Sequence, residues 1–400
     1  SMPGRPRSPS ASPAAPARQR QSPANGAGAA STMAAGFPLT QTAAKGLPQS
    51  EVEPQVRAFH RRIASVLAIL AGLLVVAVIL GSSIGPVPVP FDKTVAIVLQ
   101  RLGFDTGVAF SAREALVVDQ VRLPRVLTAV LVGAALGTAG TIMQGVFRNP
   151  LADPGVIGVS SGAAVGAVTC IALGWSAAHR WMLPAFAFAG AMASIALVFG
   201  IWASGRLRSV STLLLIGIGI NSLLSAVISA IMTLAKNEQE LRGIVFWLQG
   251  GLDARTWEHV SLIALPIVLG IALALVYGRD MNMLLLGEEH AKSAGVHVGR
   301  TRLVLLLLAS LITGTGVAVT GVIGFVGLIV PHLLRLIAGP DHRLLLPASA
   351  LGGALFLVLA DLVSRVAFQP HNLQVGVVTA FVGAPLFLFM ALRSSRAGVH

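Results

Sequence analysis

The chain has 400 residues, of which 54% are hydrophobic and 11% are charged, and its mean hydropathy is +0.79. Soluble domains carry about 25% charged residues, so this composition excludes a soluble enzyme and predicts a polytopic membrane protein. The formal charge of +13 does not indicate a nucleic-acid partner, because Lys and Arg accumulate in the cytoplasmic loops of membrane proteins.

The first 57 residues are rich in Pro, Ala, Ser and Gln. A segment of this composition has too few large apolar side chains to bury a core. We therefore predict a disordered cytoplasmic tail over 1–57 and a transmembrane permease domain over 58–400.

Apolar runs bounded by charged residues or by Pro and Gly predict about ten membrane-spanning helices. The predicted spans are 63–84, 124–145, 155–175, 182–204, 210–234, 257–278, 303–323, 326–338, 345–365 and 375–392. An even number of spans places both termini on one side. Lys and Arg are more numerous in the loops that share the side of the N-terminus, which predicts that both ends are cytoplasmic.

The second predicted span has two arginines, Arg122 and Arg125, at one end and an Asn- and Pro-rich turn over 148–155 at the other. Gly133 and Gly137 within it repeat at four-residue spacing, which favours close packing of helices in lipid. An uncharged helix framed in this way is typical of transport rather than of catalysis.

The chain lacks the motifs of catalysis and of nucleotide binding. A G-x-S-x-G pattern at 158–162 begins an uncharged membrane helix instead of following a strand, so a hydrolase is rejected. No P-loop is present to hold nucleotide phosphates, and no His or Cys residues have the spacing of a metal site. We expect no catalytic residue, metal or cofactor, and any energy from ATP must arrive through another subunit.

Ion-coupled carriers usually keep ionisable side chains near the middle of the membrane. Asp361 lies within a predicted span, but it precedes Arg365 by four residues near a helix end, where an i,i+4 ion pair explains it. Asn221 is a candidate for the lining of a path, although an interhelical hydrogen bond is the better interpretation. An ion-coupled secondary transporter is therefore the alternative hypothesis from a different functional class.

The predicted inner loop between Arg279 and Arg302 contains a short amphipathic segment, 287–296, that ends in a glycine. The pattern predicts a polar helix with Gly295 in the position just after its C-terminus. On these residues alone, the helix is either a surface for a soluble partner or a solvated connector.

Motifs found in one order along the chain resemble the FecCD-type permeases. They are Arg122-Leu-Pro-Arg125, Met143-Gln144, RNPLADPG at 148–155, GVS at 158–160 with Gly162-Ala163, Leu286-Gly287 with Ala291 and Gly295, GFVGLIVPHLLR at 324–335, Asp341-His342-Arg343, Ala360-Asp361 with Arg365, and GVVTA at 376–380 with Gly383-Ala384-Pro385. The resemblance covers residues 60–395. FecCD-type permeases are the membrane subunits of ABC importers for ferric siderophores, haem and cobalamin.

The resemblance implies the type II ABC importer permease fold, all-α, with about ten transmembrane helices in the bacterial inner membrane. It implies a homodimer whose translocation path follows the subunit interface. It also implies two cytoplasmic ATP-binding subunits, which hydrolyse the ATP, and a periplasmic substrate-binding protein.

The same resemblance gives roles to particular residues. Arg122, Arg125 and Arg365 match positions that receive acidic side chains from the binding protein. The segment with Gly287, Glu288, Glu289, Ala291 and Gly295 resembles the coupling helix that contacts the ATPase.

One departure from the family pattern lies before the 376–380 motif. The family usually has Glu-Leu-Pro there, whereas this chain has Asn372-Leu373-Gln374. Because that end borders the path, His371 and Asn372 join Asn221 as candidates for the path. A histidine at this position, His371, favours haem over ferric siderophore or cobalamin as the substrate.

Overall fold

The computed structural model describes residues 49–205, 209–367 and 373–397, and these residues form helices joined by loops. The chain divides into two units, 1–58 and 59–400. Most of the predicted tail lies outside the described residues, so its disorder and its boundary at residue 57 stay predictions.

The helices follow one another along the chain with short connections. They are α1 (Gln49–Ser83), α2 (Phe91–Arg101), α3 (Ala112–Leu116), α4 (Leu123–Phe147), α5 (Val159–Ala172), α6 (Trp175–Ala178), α7 (Met182–Ser204), α8 (Val210–Thr233), α9 (Glu238–Leu248), α10 (Trp257–Val276), α11 (Gly278–Leu285), α12 (Glu288–Ser293), α13 (Val298–Thr320), α14 (Val326–Ala338), α15 (His342–Val366) and α16 (Val375–Ala397). A π-helical segment, Val117–Arg122, joins α3 to α4, and a 3-10 turn, Pro154–Ile157, precedes α5.

Within the described ranges, seven helices are long and apolar enough to cross a membrane, and α5, α14 and the 375–389 part of α16 are shorter apolar helices. Together they coincide with the ten predicted spans. The boundaries differ most at α1, which begins at Gln49 rather than at 63. An apolar run marks only the part of a helix that lies in lipid, and the helix itself continues into polar sequence.

The two short helices α5 and α14 each follow an irregular segment, 148–158 and 321–325. With 14 and 13 residues, they are only about 20 Å long at ~1.5 Å per residue, against a hydrocarbon layer of ~30 Å. Irregular backbone at membrane depth is tolerated where it is buried in protein or lines a water-filled cavity. Parts of both segments are buried: Ala152 and Ile157 in the first are 4% and 1% exposed, and Ile323 in the second is 5% exposed.

Helix α4 is the centre of the bundle and packs against α10, α13, α14 and α15. Its approach to α15 is so close that a Cβ atom added to Gly133 would lie 2.3 Å from the carbonyl oxygen of Gly353. At Gly137 the same atom would lie 2.1 Å from the carbonyl oxygen of Ser349. The predicted role of Gly133 and Gly137 in close helix packing is confirmed.

The bundle has two ends that are used as references below. Helix α10 runs from the end that carries α9 to the end that carries α11 and α12. We name these ends the α9 face and the α12 face. The start of α4 belongs to the α9 face, because the indole of Trp257, at the start of α10, donates to the carbonyl of Asp119 at 2.8 Å.

Candidate functional site

Arg122 lies at the α9 face, where the π-helical segment leads into α4, and is only 5% exposed. Its guanidinium donates to the carbonyl oxygens of Ser82 and Ser83, at 3.1 and 2.5 Å, and to that of Val87. These carbonyls belong to the end of α1 and the loop after it. Arg122 therefore joins α1 to α4.

Arg125 and Arg365 share one buried carboxylate, that of Asp361. Arg125 donates through Nε to Asp361 at 2.8 Å and through Nη1 to Asp253 at 2.5 Å. Nε of Arg365 lies 3.1 Å from Oδ2 of Asp361. The two Nη atoms of Arg365 donate to the carbonyl oxygens of Ile84 and Gly81 at 2.9 and 3.0 Å. The predicted i,i+4 pair between Asp361 and Arg365 is confirmed.

The three arginines predicted for docking are thus brought together at the α9 face. Each is also bound to groups of its own chain. Arg122 and Arg365 are 5% exposed, and the Arg125 side chain is 12% exposed. The arrangement links α1, α4, α15 and the α9–α10 loop. Their role in docking a binding protein stays a prediction.

The loop between α9 and α10 is held against two other irregular segments of the α9 face. The amide of Gly251 donates to the carbonyl of Thr320 at 2.7 Å, and the amide of Gly376 donates to that of Gly250 at 3.0 Å. The side chain of Gln374 donates to Asp253 at 3.3 Å. The loop therefore fixes the end of α13 and the start of α16.

A cavity of about 520 Å³ lies beside this junction. Its wall is formed largely by one side of α16, together with Leu248, Gln249 and Val322, and most of it is apolar. Phe381 of α16 is 74% exposed. An open apolar wall on a membrane helix suits either a path or a subunit interface. His371 and Asn372 lie outside the described residues, so their place on the path stays a prediction.

Asn221 lies on α8, and its side chain binds the segment that precedes α5. Its side-chain amide donates to the carbonyl oxygens of Gly155 and Val156, at 3.1 Å each. Both carbonyls belong to the irregular segment that precedes α5. Asn221 therefore makes hydrogen bonds to another element, as the preferred interpretation expected, but to a 3-10 turn rather than to a second membrane helix, and its place on a path stays a prediction.

The sequence predicts a short polar helix followed by a glycine, and α12 has this form. Gly295 has a φ of +83°, its amide donates to the carbonyl of Lys292, and the amide of Val296 donates to that of Ala291, both at 2.9 Å. This pair of bonds is the Schellman motif.

One side of α12 is anchored to the bundle and the other is free. Ala291 is fully buried, and Glu288 pairs with Arg302 of α13 at 2.7 Å. The hydrogen bond from Arg302 lowers the pKa of Glu288 below its ordinary value. The side chain of Glu289 is 88% exposed and pairs with its neighbour Lys292 at 3.2 Å. The helix is therefore a fixed platform with a charged outward side.

Sequence reasoning missed two residues at the α9 face, Asp253 and Arg255, and it noted Gln374 only as part of a departure from the family pattern. Asp253 and Arg255 occupy a loop, where a polar side chain is common, so no pattern separated them from their neighbours. Arg255 lines a second cavity of about 630 Å³, and its Nε has no hydrogen-bond partner among the described residues. Burial lowers its pKa to about 10, so the side chain remains a cation at neutral pH.

Comparison with known proteins finds one matching family model and several permeases of similar sequence. The model of the FecCD transport family matches residues 73–393. The YvrB permease protein of Bacillus subtilis is 43% identical over 81% of this chain and 92% of its own length. A cobalamin import permease of Halobacterium salinarum, BtuC, is 41% identical over 80% of this chain and 94% of its own length. A hemin transport permease of Yersinia pestis, HmuU, is 44% identical over 68% and 82%.

A solved structure has the same fold. It is described as an inward-facing metal-chelate type ABC transporter and superposes with a TM-score of 0.73 at 33% identity. The match covers 82% of this chain and 99% of that one. The similarity therefore extends over the whole helix bundle.

Proposed function

Because the chain belongs to the FecCD transport family and is a multi-pass permease of an ABC importer, we propose that it carries a bulky iron chelate, with haem favoured. The observation that carries this proposal is the family match over residues 73–393. Related permeases are named for cobalamin and for hemin import, and a ferric siderophore or cobalamin is the alternative substrate.

Permeases of such importers form dimers and work with ATP-binding and substrate-binding proteins. For this chain we propose a homodimer with two ATP-binding subunits at the α12 face and one substrate-binding protein at the α9 face. We place it in the bacterial inner membrane with both termini cytoplasmic. The open apolar wall of α16, where Phe381 is exposed, supports a path along the subunit interface.

Ion-coupled carriage is disfavoured by the contacts of Asp361. An ion-coupled carrier needs an ionisable group that is free to bind and release its ion. Asp361 is instead held by Arg125 and Arg365. Each carboxylate oxygen of Asp361 lies within 3.1 Å of an arginine nitrogen, so the group is not free to bind and release a transported ion.

Proteoliposomes test the source of energy. The permease is reconstituted with its ATP-binding subunits and binding protein, and uptake of haem is measured with and without ATP. We expect uptake only when ATP and the binding protein are both present. Uptake by the permease alone under a proton or sodium gradient would contradict the proposal.

The docking role of Arg122, Arg125 and Arg365 requires a test that separates it from their internal bonds. Arg122→Glu with Arg125→Glu would place acids opposite an acidic partner, but it would also break the contacts to α1 and Asp361. The melting temperature and the affinity for the binding protein are therefore measured together. A docking role predicts a large loss of affinity at a temperature where the variant is still folded, and in the parent a weaker complex at high salt.

The substrate is tested apart from the permease. The cognate binding protein is titrated with haem, a ferric siderophore and cobalamin, and the three affinities are compared. We expect haem to bind most tightly. Tighter binding of cobalamin or of the siderophore would change the substrate but would leave the ATP-driven import in place.

A further inference from the structure

A narrow apolar groove lies on the outside of the bundle near the α9 face and shares no lining residue with the cavity beside α16. Helices α7 and α10 form its sides, and α13 forms its floor. Its volume is about 320 Å³. The side walls include Ala185 and Phe188 of α7 and Leu262 and Pro266 of α10. All four lie in the first three turns of helices that are long and apolar enough to span the membrane.

The lining of the groove is almost entirely apolar and does not suit a polar ligand. The hydroxyl of Thr315, on its floor, is already bonded to the carbonyl of Leu311 at 2.8 Å. The neighbouring floor residues, Ala318 and Val319, are apolar. The occupant that this lining favours is therefore a hydrocarbon chain.

The mouth of the groove at the α9 face has the opposite character. Arg180 pairs with Glu258 at 3.0 Å, and the two side chains are 67% and 47% exposed. The ring of Trp181 lies 5.7 Å from that of His259. Trp side chains concentrate at membrane–water interfaces, so the mouth lies at the depth of lipid headgroups.

The guanidinium of Arg180 suits a phosphate. It has five N–H donors in a planar fork that matches phosphate oxygens, and Glu258 is in contact with one nitrogen, Nη1. An exposed ion pair contributes little stability, so a phosphate can share or replace the carboxylate.

We propose that this groove is a lipid site, which binds one acyl chain of a membrane phospholipid while Arg180 holds its phosphate. Leu262 and Leu265 of α10 are 48% and 74% exposed beside the groove, as expected for a surface that faces lipid. The site does not depend on which chelate is transported or on the source of energy.

The test measures how much lipid the full-length protein retains. The protein is reconstituted with phosphatidylethanolamine or phosphatidylglycerol and extracted in mild detergent. Native mass spectrometry then measures the mass of the protein with its bound lipid. We expect one phospholipid per subunit to resist removal. Ala185→Phe should abolish this retention by filling the groove, while Ala272→Phe, at an exposed site further along α10, should not.

Substitution of Arg180 gives a second measurement that does not alter the groove. Arg180→Ala should lower the occupancy severalfold for either phospholipid. The matched control is Arg242→Ala, which removes another exposed arginine paired with a glutamate at the α9 face. Equal binding of a diacylglycerol, which has no phosphate, would overturn the role of Arg180.

Two other results would overturn the site itself. One is equal retention of lipid by the parent and by Ala185→Phe, with both proteins shown to be folded by their melting temperatures. The other is efficient cross-linking of Ala185→Cys between two copies of the chain in the membrane, because a second copy would then cover the groove. Cys170 is buried and leaves a low background for that measurement.

Discussion

At the scale of single residues, the buried charges of the α9 face depend on one another. Asp361 is fully buried and lies between Arg125 and Arg365. Removing one partner from a buried ion pair leaves the other charge uncompensated, which costs more than the pair itself contributes.

Asp361→Ala should therefore destabilise the protein strongly. We expect a loss of about 3–5 kcal/mol, seen as a much lower melting temperature in detergent. The control is Glu238→Ala, which removes a carboxylate from the exposed i,i+4 pair with Arg242 and should change the melting temperature little. Similar melting temperatures for the two variants would show that the buried cluster contributes no more than a surface pair.

The burial of these arginines explains a limit of prediction from sequence. Spacing alone predicted the pair between Asp361 and Arg365, because four residues span one turn of a helix. It could not predict that Arg125 reaches Asp253, which is 128 positions away. Contacts of this kind depend on how helices are arranged in three dimensions, and the loop that carries Asp253 has no periodic pattern.

At the scale of helices, the short α12 is rigid where it meets the bundle and charged where it faces outward. If α12 contacts an ATP-binding subunit, Glu289 is better placed than Glu288 to touch it, since Glu288 is occupied by Arg302. Coupling requires that this contact favour one of two states of the permease.

Glu289→Lys should uncouple ATP hydrolysis from transport while the protein still inserts and folds. We expect a severalfold fall in substrate transported per ATP in proteoliposomes. Glu238→Lys reverses a similarly exposed and paired charge at the opposite face and should leave that ratio unchanged. A normal ratio in the Glu289 variant would indicate that this side chain is not part of the coupling contact.

The crossing of α4 and α15 depends on glycine. Gly133→Ala would place a methyl group against the backbone of Gly353, so the helices must separate, at a cost of about 1–3 kcal/mol or more. Gly72→Ala is the control, because a Cβ atom there meets nothing within 4 Å and alanine favours a helix. We expect a lower melting temperature for the first variant and no loss for the second.

At the scale of the whole molecule, the ten apolar helices were predictable because hydrocarbon imposes a simple demand on composition. The helices of the α9 face, such as α6 and α9, were not predicted. They are short or amphipathic and lie between the predicted spans, so no long apolar run marks them. The candidate site at that face combines helix ends with loops, and the grouping of its three arginines was predictable only through the family resemblance.

The orientation of the bundle can be measured directly. Lys292→Cys on α12 and Arg242→Cys on α9 place thiols at opposite faces, and Cys170 is buried. We expect a membrane-impermeant maleimide to label Arg242→Cys from outside the inner membrane and Lys292→Cys only after lysis. The reverse pattern would contradict cytoplasmic termini.

The two hydrogen bonds from Asn221 have a consequence for the proton permeability of the membrane. They cover the carbonyls of Gly155 and Val156 in the irregular segment before α5. Carbonyls without donors at that depth attract water, and a file of water molecules conducts protons. Asn221→Leu should therefore make resting vesicles leak protons, measured as faster decay of an imposed pH gradient without ATP. One amide would then help the cell keep its proton-motive force while the importer is idle.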